Sequence, residues 1–333
     1  MQSPSAWPNW KSCGRKMRVI MMGTGPFAVP TLRQLYLSRH AVLALVTRPP
    51  RPLHGKSRAE ANPMRELAVA HGTRVHEPES INAPPARCVL ASYRPDLFVV
   101  CDYGQILASE TLELAGFGGI NLHASLLPKY RGAAPIQWAV YHGEIETGVT
   151  IIHMSPRIDA GPAIAQARTP IGPDETAAEL EPRLAELGAP LVVAAIDALE
   201  KGEAKSIEQN PAEATRAPRL KKELGLVDWS RSAEAIRNQI RALQPWPKTY
   251  TFWQRPSGQP LRLVLERAHV EPFQSAEPGI VLEARGDELV IATGQQALAI
   301  DEIQPSGKRV LTTAEFLRGY GVRPGEYFSA QGA

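Results

Sequence analysis

The sequence predicts two folded parts: an α/β domain on a mostly parallel, Rossmann-like sheet, then a small OB-like β-barrel. Three observations carry that expectation. Over residues 17–202 short apolar runs alternate with segments of helix length, the pattern of strands joined by helical crossovers. A Gly-x-Gly turn, Gly23-Thr24-Gly25, follows the first of those runs. Past residue 218 the spacing shortens to β-like runs separated by turns, the habit of small barrels.

The elements follow in order. Arg18-Val19-Ile20-Met21-Met22 reads as a buried strand, and Pro30 suits the first turn of a helix reaching about Ser38. Ala41 to Thr47 is a second apolar strand. A polar loop over 48–62 carries Arg48, Arg51, His54, Lys56 and Arg58. A helix from Pro63, a short strand near Val75 and a helix from about Pro84 to Tyr93 come next. Asp96 to Cys101 is the clearest buried strand. Strands at Gly119 to Asn121 and Val149 to Met154 complete the alternation. Thr176 to Leu199 is helical, with Asp174-Glu175-Thr176 as cap candidates. Residues 203–218, rich in Ala, Glu, Pro and Lys, read as a linker to a second domain over 219–333. There Ala233 to Leu243 is an amphipathic helix. Leu261 to Leu265, Gly279 to Leu282, Glu288 to Ala292 and Ala297 to Ile300 are short strands. Residues 1–16 hold Trp7, Trp10, Lys11, Arg15 and Lys16 but no acid, and are expected to be a disordered tail ahead of Met17.

Composition narrows the function classes. Hydrophobic residues make up 44% and charged ones 21% of the 333, as in soluble globular proteins. A net charge of +3 announces no nucleic-acid partner by itself, so any such partner must be read from local patches. Cys13, Cys88 and Cys101 form no Cys-x-x-Cys pair. That points to a reducing, cytoplasmic setting and away from a zinc site. No apolar stretch approaches the roughly 20 residues a membrane-spanning helix needs.

The chemistry concentrates in Gly119-Ile120-Asn121-Leu122-His123-Ala124-Ser125-Leu126-Leu127-Pro128. Alternate residues of a strand share a face, so the Asn121 carboxamide and the His123 imidazole point the same way. Leu-Leu-Pro then ends the strand in a shaped loop. Such strand ends are where open α/β sheets place their ligands. A second constellation, Ile158-Asp159-Ala160-Gly161-Pro162, follows a later strand. If Asp159 meets His123, its carboxylate favours the imidazolium over a ring that ordinarily titrates near ~6.5. An amide donor and an imidazolium can hold the oxyanion of a tetrahedral intermediate. The carboxylate can orient the ring and take, through water, the proton shed by an attacking amine. No serine or cysteine nucleophile is required. Among the other histidines, His153 lies in an apolar strand and suits an interior structural role.

Gly23-x-Gly25-x-x-Ala28 also matches the dinucleotide fingerprint in outline. The acidic residue that would hold a ribose is replaced by Thr47-Arg48-Pro49-Pro50, and an arginine there leaves an NADP-binding oxidoreductase or sensor open.

At these residues the chain resembles the formyltransferases that use 10-formyltetrahydrofolate, from about Met17 to the C-terminus. The resemblance implies a catalytic trio of Asn121, His123 and Asp159. It implies a folate site lined by Ser125, Leu126, Leu127 and Pro128, with Tyr103 and Gly104 forming part of the pterin pocket. Arg131-Gly132-Ala133-Ala134-Pro135-Ile136-Gln137 and the loop from Thr47 to Pro63 are similar to the members whose acceptor is initiator methionyl-tRNA. So are Ala217-Pro218-Arg219-Leu220-Lys221-Lys222-Glu223, Asp228-Trp229-Ser230 and Pro245-Trp246-Pro247. Arg48, Arg51, His54, Lys56, Arg58, Lys221 and Lys222 are then the expected tRNA contacts, on a monomeric enzyme with no metal. Another formyl acceptor, or water in a deformylase, is the near alternative. One departure stands in the loop, where Leu53-His54-Gly55-Lys56 replaces the family's Gly-Arg-Gly-Lys. From Lys205 to Arg255 ten Lys and Arg face five Asp and Glu, a local excess suited to phosphate contacts.

Overall fold

The computed structural model describes residues 16–50, 62–273 and 276–330. The tail before residue 16 and the loop positions Arg51, His54, Lys56 and Arg58 lie outside the described residues. The chain divides into two compact units. The first comprises Met1–Pro135, Glu146–Pro170 and Glu181–Ala217; the second comprises Ile136–Ile145, Ile171–Leu180 and Pro218–Ala333.

The first unit is built on a seven-stranded sheet. In chain order the elements are β1 (Arg18–Met22), α1 (Val29–Leu37), β2 (Ala41–Val46), α2 (Pro63–Ala70), β3 (Arg74–His76) and α3 (Pro84–Ser92). Then come β4 (Leu97–Val100), α4 (Ser109–Leu112), β5 (Gly119–His123), β6 (Arg131–Gly132), β7 (Glu146–His153) and β8 (Ala163–Pro170), while α5 (Pro135–Tyr141), between β6 and β7 in the chain, falls in the second unit from Ile136 on. The spatial order is β3-β2-β1-β4-β5-β7-β8. β1 to β5 are parallel, and their apolar runs are buried because helical crossovers cover such sheets. Phe98, Val100, Ile20, Met22 and Val46 form one core cluster with Tyr103 and Leu107.

The alternation read from sequence breaks at β7, which pairs antiparallel with β5: Ile120 lies opposite His153, and His123 opposite Thr150. The chain leaves β5 at its C-terminal end and enters β7 beside that same end, without crossing back. Antiparallel β8 then follows β7 directly. The loop 154–162 between them therefore starts at the end of the sheet away from His123.

α6 (Ala177–Lys201) begins at Thr176, whose hydroxyl accepts the Glu179 N–H while the Glu179 carboxylate accepts the Thr176 N–H. This reciprocal pair satisfies donors the first turn leaves open. The stretch 203–218 is tied to the first unit at several points. Ile207 exchanges backbone hydrogen bonds with Ala163, and β9 (Arg216–Ala217) pairs with β6.

The second unit is an antiparallel sheet ordered β12-β13-β14-β11-β10-β16. Its strands are β10 (Thr249–Gln254), β11 (Leu261–Glu271), β12 (Val281–Arg285), β13 (Glu288–Ala292), β14 (Ala297–Pro305) and β16 (Tyr327–Ser329). A short β15 (Leu311–Thr312) pairs with β14. The sheet curls until its edges meet. Phe328 N donates to Gly279 O at 2.8 Å, and Val281 N to Glu326 O at 2.9 Å. Joining the edges removes the unpaired rows that an open sheet would expose. α7 (Ala233–Ala242) and α8 (Thr313–Tyr320) supply Ile236, Ile240 and Phe316 to its core, with Trp229, Trp253 and Phe328. Four of these elements, β10, β15, α8 and β16, have no counterpart in the sequence reading.

Candidate active site

Asn121 and His123 stand two residues apart on β5, flanked by β4 and β7. His123 is buried. Its Nε2 lies 2.9 Å from the carbonyl oxygen of Tyr130. A carbonyl only accepts, so Nε2 is the protonated nitrogen and Nδ1 is the one presented elsewhere. That atom faces Asp159 Oδ2 at 3.6 Å. His123 and Asp159 thus meet, with Asn121 two residues before His123 on β5, although Asp159 comes from a loop that must run back along the sheet to arrive.

The loop's geometry shows how it does so. Asp159 has φ +50°, a conformation side-chain-bearing residues adopt rarely. A Cβ built on Gly161 would lie 1.8 Å from the His153 carbonyl oxygen. Only glycine lets the loop pass that close to the end of β7. Asp159 Oδ2 accepts the Gly132 N–H at 2.9 Å. Gln209 Nε2 donates to the carbonyls of Asp159 and Gly161 at 2.9 and 2.7 Å. Its Oε1 accepts from Arg131 Nε and Nη2 at 3.1 and 2.7 Å. Sequence reasoning missed Tyr130, Gly132 and Gln209. The first two act through backbone atoms, and Gln209 sits in the stretch read as a linker.

The loop after β5 is internally braced. Ser125 is fully buried, and its hydroxyl donates to Lys129 O at 2.7 Å. Thr150 Oγ1 donates to Ser125 O and accepts the Leu127 N–H. Gln166 Nε2 donates to Leu127 O at 2.7 Å. Leu126 and Pro128 are half-buried and Leu127 is buried. Ser125 therefore shapes the loop that carries Leu126 to Pro128.

At the neighbouring strand end, the Tyr103 ring packs into the core, where burial pushes its hydroxyl up to about 12. Arg48 holds the backbone there: its Nε donates to Tyr103 O at 2.9 Å and its Nη2 to Gly104 O. The polar loop is pinched at its base, where Asn62 Nδ2 donates to Thr47 Oγ1 at 2.9 Å. Lys221 and Lys222 are exposed in the second unit. Among the described residues no group of three or more His, Cys, Asp and Glu is placed to hold a metal ion. No helix among them is long and apolar enough to cross a membrane.

The Gly-x-Gly turn is shaped by the protein's own packing. A Cβ on Gly23 would meet Ala28 Cβ and Cys101 O at 2.8 Å each; one on Gly25 would lie 1.9 Å from Asp102 Oδ2. A carboxylate thus occupies the turn where a dinucleotide would bring its anionic pyrophosphate.

Residues 15–196 match the family model described as formyl transferase, and residues 219–321 match formyl transferase, C-terminal domain. The methionyl-tRNA formyltransferase of Alkaliphilus oremlandii is 40% identical over 309 residues, covering 93% of this chain and 98% of that protein. That of Desulfotalea psychrophila is 42% identical over 305 residues, covering 92% and 93%. Among solved structures, HypX from Aquifex aeolicus in complex with tetrahydrofolic acid matches with a TM-score of 0.57 at 20% identity. That match covers 91% of this chain and 47% of HypX, and it speaks for the fold alone. The chain belongs to the formyl transferase family, with the methionyl-tRNA formyltransferases.

Proposed function

We propose that the protein transfers the formyl group of 10-formyltetrahydrofolate to the α-amino group of initiator methionyl-tRNA, as a cytoplasmic monomer. The observation that carries the reading is the approach of Asp159 to His123, whose Nε2 is held by the Tyr130 carbonyl, with Asn121 two residues before it on the same strand.

The free amine attacks the formyl carbon. Asn121 and, in the doubly protonated ring, the Nδ1–H of His123 hold the developing oxyanion, which a preorganised site stabilises better than water does. The bond from carbon to the folate N10 then breaks. Asp159 accepts the proton lost by the amine, directly or through water, and the proton returns to N10 as that nitrogen leaves. Ser125 to Pro128 and the backbone at 103–104 form the folate site in this reading. Arg51, His54, Lys56, Arg58, Lys221 and Lys222 take the tRNA, and Arg48 links the two regions.

Paired titrations with a non-transferable folate analogue and with NADP test the assignment of the site. Saturable folate binding with no NADP binding is expected. Tight NADP binding without folate binding would return the Gly-x-Gly turn to the centre of the account.

A further inference from the structure

We propose that Gln209 is a positioning residue for the reaction, holding the Asp159 loop in register with His123. The proposal rests on the reading of Asp159 as the proton-handling group.

The antiparallel run of β7 sets the problem. Met154 N donates to Gly119 O at 2.8 Å, which places the start of the loop 154–162 beside the first residue of β5. His123 lies at the other end of that strand. To reach it, the loop adopts a left-handed residue at Asp159 and a close backbone pass at Gly161. The positive φ at Asp159 is uncommon for a side-chain-bearing residue, and partners outside the loop hold it there.

Gln209 meets that need with one side chain. Its amide nitrogen satisfies two carbonyls that bracket the bend, Asp159 O and Gly161 O. Its amide oxygen is held in turn by two donors of Arg131. All three of its usable groups are thereby spent in one orientation, and the amide cannot flip without setting oxygen against oxygen.

Arg131 doubles the effect. The next residue, Gly132, donates its N–H to Asp159 Oδ2. Its φ of +130° and a Cβ position only 2.4 Å from Ala217 O mean that it too is fixed by close packing on β9. Arg131 N donates to Thr215 O, and Tyr130 N to Thr215 Oγ1. Tyr130 is the residue whose carbonyl holds His123. The segment 209–217 thus sets both partners of the His123–Asp159 pair, Asp159 through Gln209 and His123 through Thr215 and Tyr130. Residue 209 lies between the two matched family segments, 15–196 and 219–321.

Two substitutions separate this role from a merely structural one. Gln209→Met keeps the length and removes every hydrogen bond. Gln209→Glu keeps an acceptor for Arg131 but turns a carboxylate oxygen toward two carbonyls. If Gln209 served only to anchor its own segment through Arg131, Gln209→Glu would be tolerated. If it holds the Asp159 loop, both variants lower kcat by roughly 10- to 100-fold, the cost of displacing a catalytic group by about an ångström. Folate-analogue affinity and melting temperature should stay close to those of the parent protein.

The decisive arm places Gln209→Met on an Asp159→Ala background. Little further loss is expected there, because Gln209 acts through Asp159. Full additivity, or parent-like turnover in Gln209→Glu, overturns the proposal. Parent-like turnover in Asp159→Ala alone overturns instead the reading of Asp159 on which the proposal stands. Should Gln209→Met not fold, amide hydrogen exchange across 157–161 in Gln209→Glu decides. Faster exchange confined to that loop is expected, and unchanged exchange contradicts the clamp.

Discussion

The Nε2 of His123 donates to the carbonyl oxygen of Tyr130 at 2.9 Å, and this single bond fixes which ring nitrogen can do chemistry. With Nε2 committed, Nδ1 faces Asp159 Oδ2 across 3.6 Å. That gap is longer than a direct hydrogen bond and allows a substrate atom or a water to take part.

Replacing Asn121 or His123 by alanine should cost turnover far more than folate binding. Removing one oxyanion donor typically lowers kcat by about 10²- to 10³-fold. Single-turnover formyl transfer beside equilibrium binding of a folate analogue measures the split. Parent-like turnover in either variant would remove that residue from the mechanism.

Gly161→Ala should damage activity and stability together. The added methyl would sit 1.8 Å from the His153 carbonyl oxygen, so the loop must lift away from β7. Overpacking of this kind costs about 1–3 kcal/mol, and Asp159 moves with the loop. Thermal melting and turnover read the two effects. An unaffected variant would show that the tight pass at residue 161 is not needed to deliver Asp159.

Arg48 should behave unlike the rest of its loop. Its guanidinium is spent on the carbonyls of Tyr103 and Gly104, so Arg48→Ala should weaken folate binding several-fold as well as acceptor use. Arg51→Ala and Lys56→Ala should raise the KM for charged tRNA and leave folate affinity intact. Equal effects of all three on folate affinity would contradict the division.

Stability should fall as the solution is acidified through the range where His40 would normally charge. Its side chain is buried, and Nδ1 accepts the Met17 N–H at 3.3 Å. Burial holds the imidazole below its ordinary 6.5, outweighing the pull of Asp197, while Arg39 adds to the depression. The unfolded chain therefore binds this proton more readily than the folded one. Stability is full above about 6.5 and is lost as pH falls through the depressed value. His40→Asn keeps an acceptor for Met17 and removes the titration, so melting temperature should depend less on pH. An identical pH slope in the variant would assign the loss to other groups.

Much of this was legible in the chain because the signals are local. Buried runs such as Leu97–Val100 announce parallel strands, and Asn121 with His123 declares a shared face through a period of two. Strand direction is different: nothing within Val149 to Met154 reports which neighbour it meets or from which end. The expected mostly parallel sheet holds, and β7 and β8 are its antiparallel strands. Some missed elements did leave marks. Thr249-Tyr-Thr-Phe-Trp is rich in strand-favouring residues, and Thr312 with Glu315 forms the capping box that opens α8. Gln209 left none. Its role depends on Asp159, fifty positions away, and a glutamine among Ala, Glu and Pro carries no local sign of it.

The most direct measurement is a formyl-transfer assay with 10-formyltetrahydrofolate, comparing charged initiator tRNA with charged elongator tRNA. Rapid formylation of the initiator methionyl-tRNA and slow formylation of the elongator species is the expected result. No transfer to either tRNA, with transfer to an amino sugar or to water instead, would contradict the assignment of the acceptor.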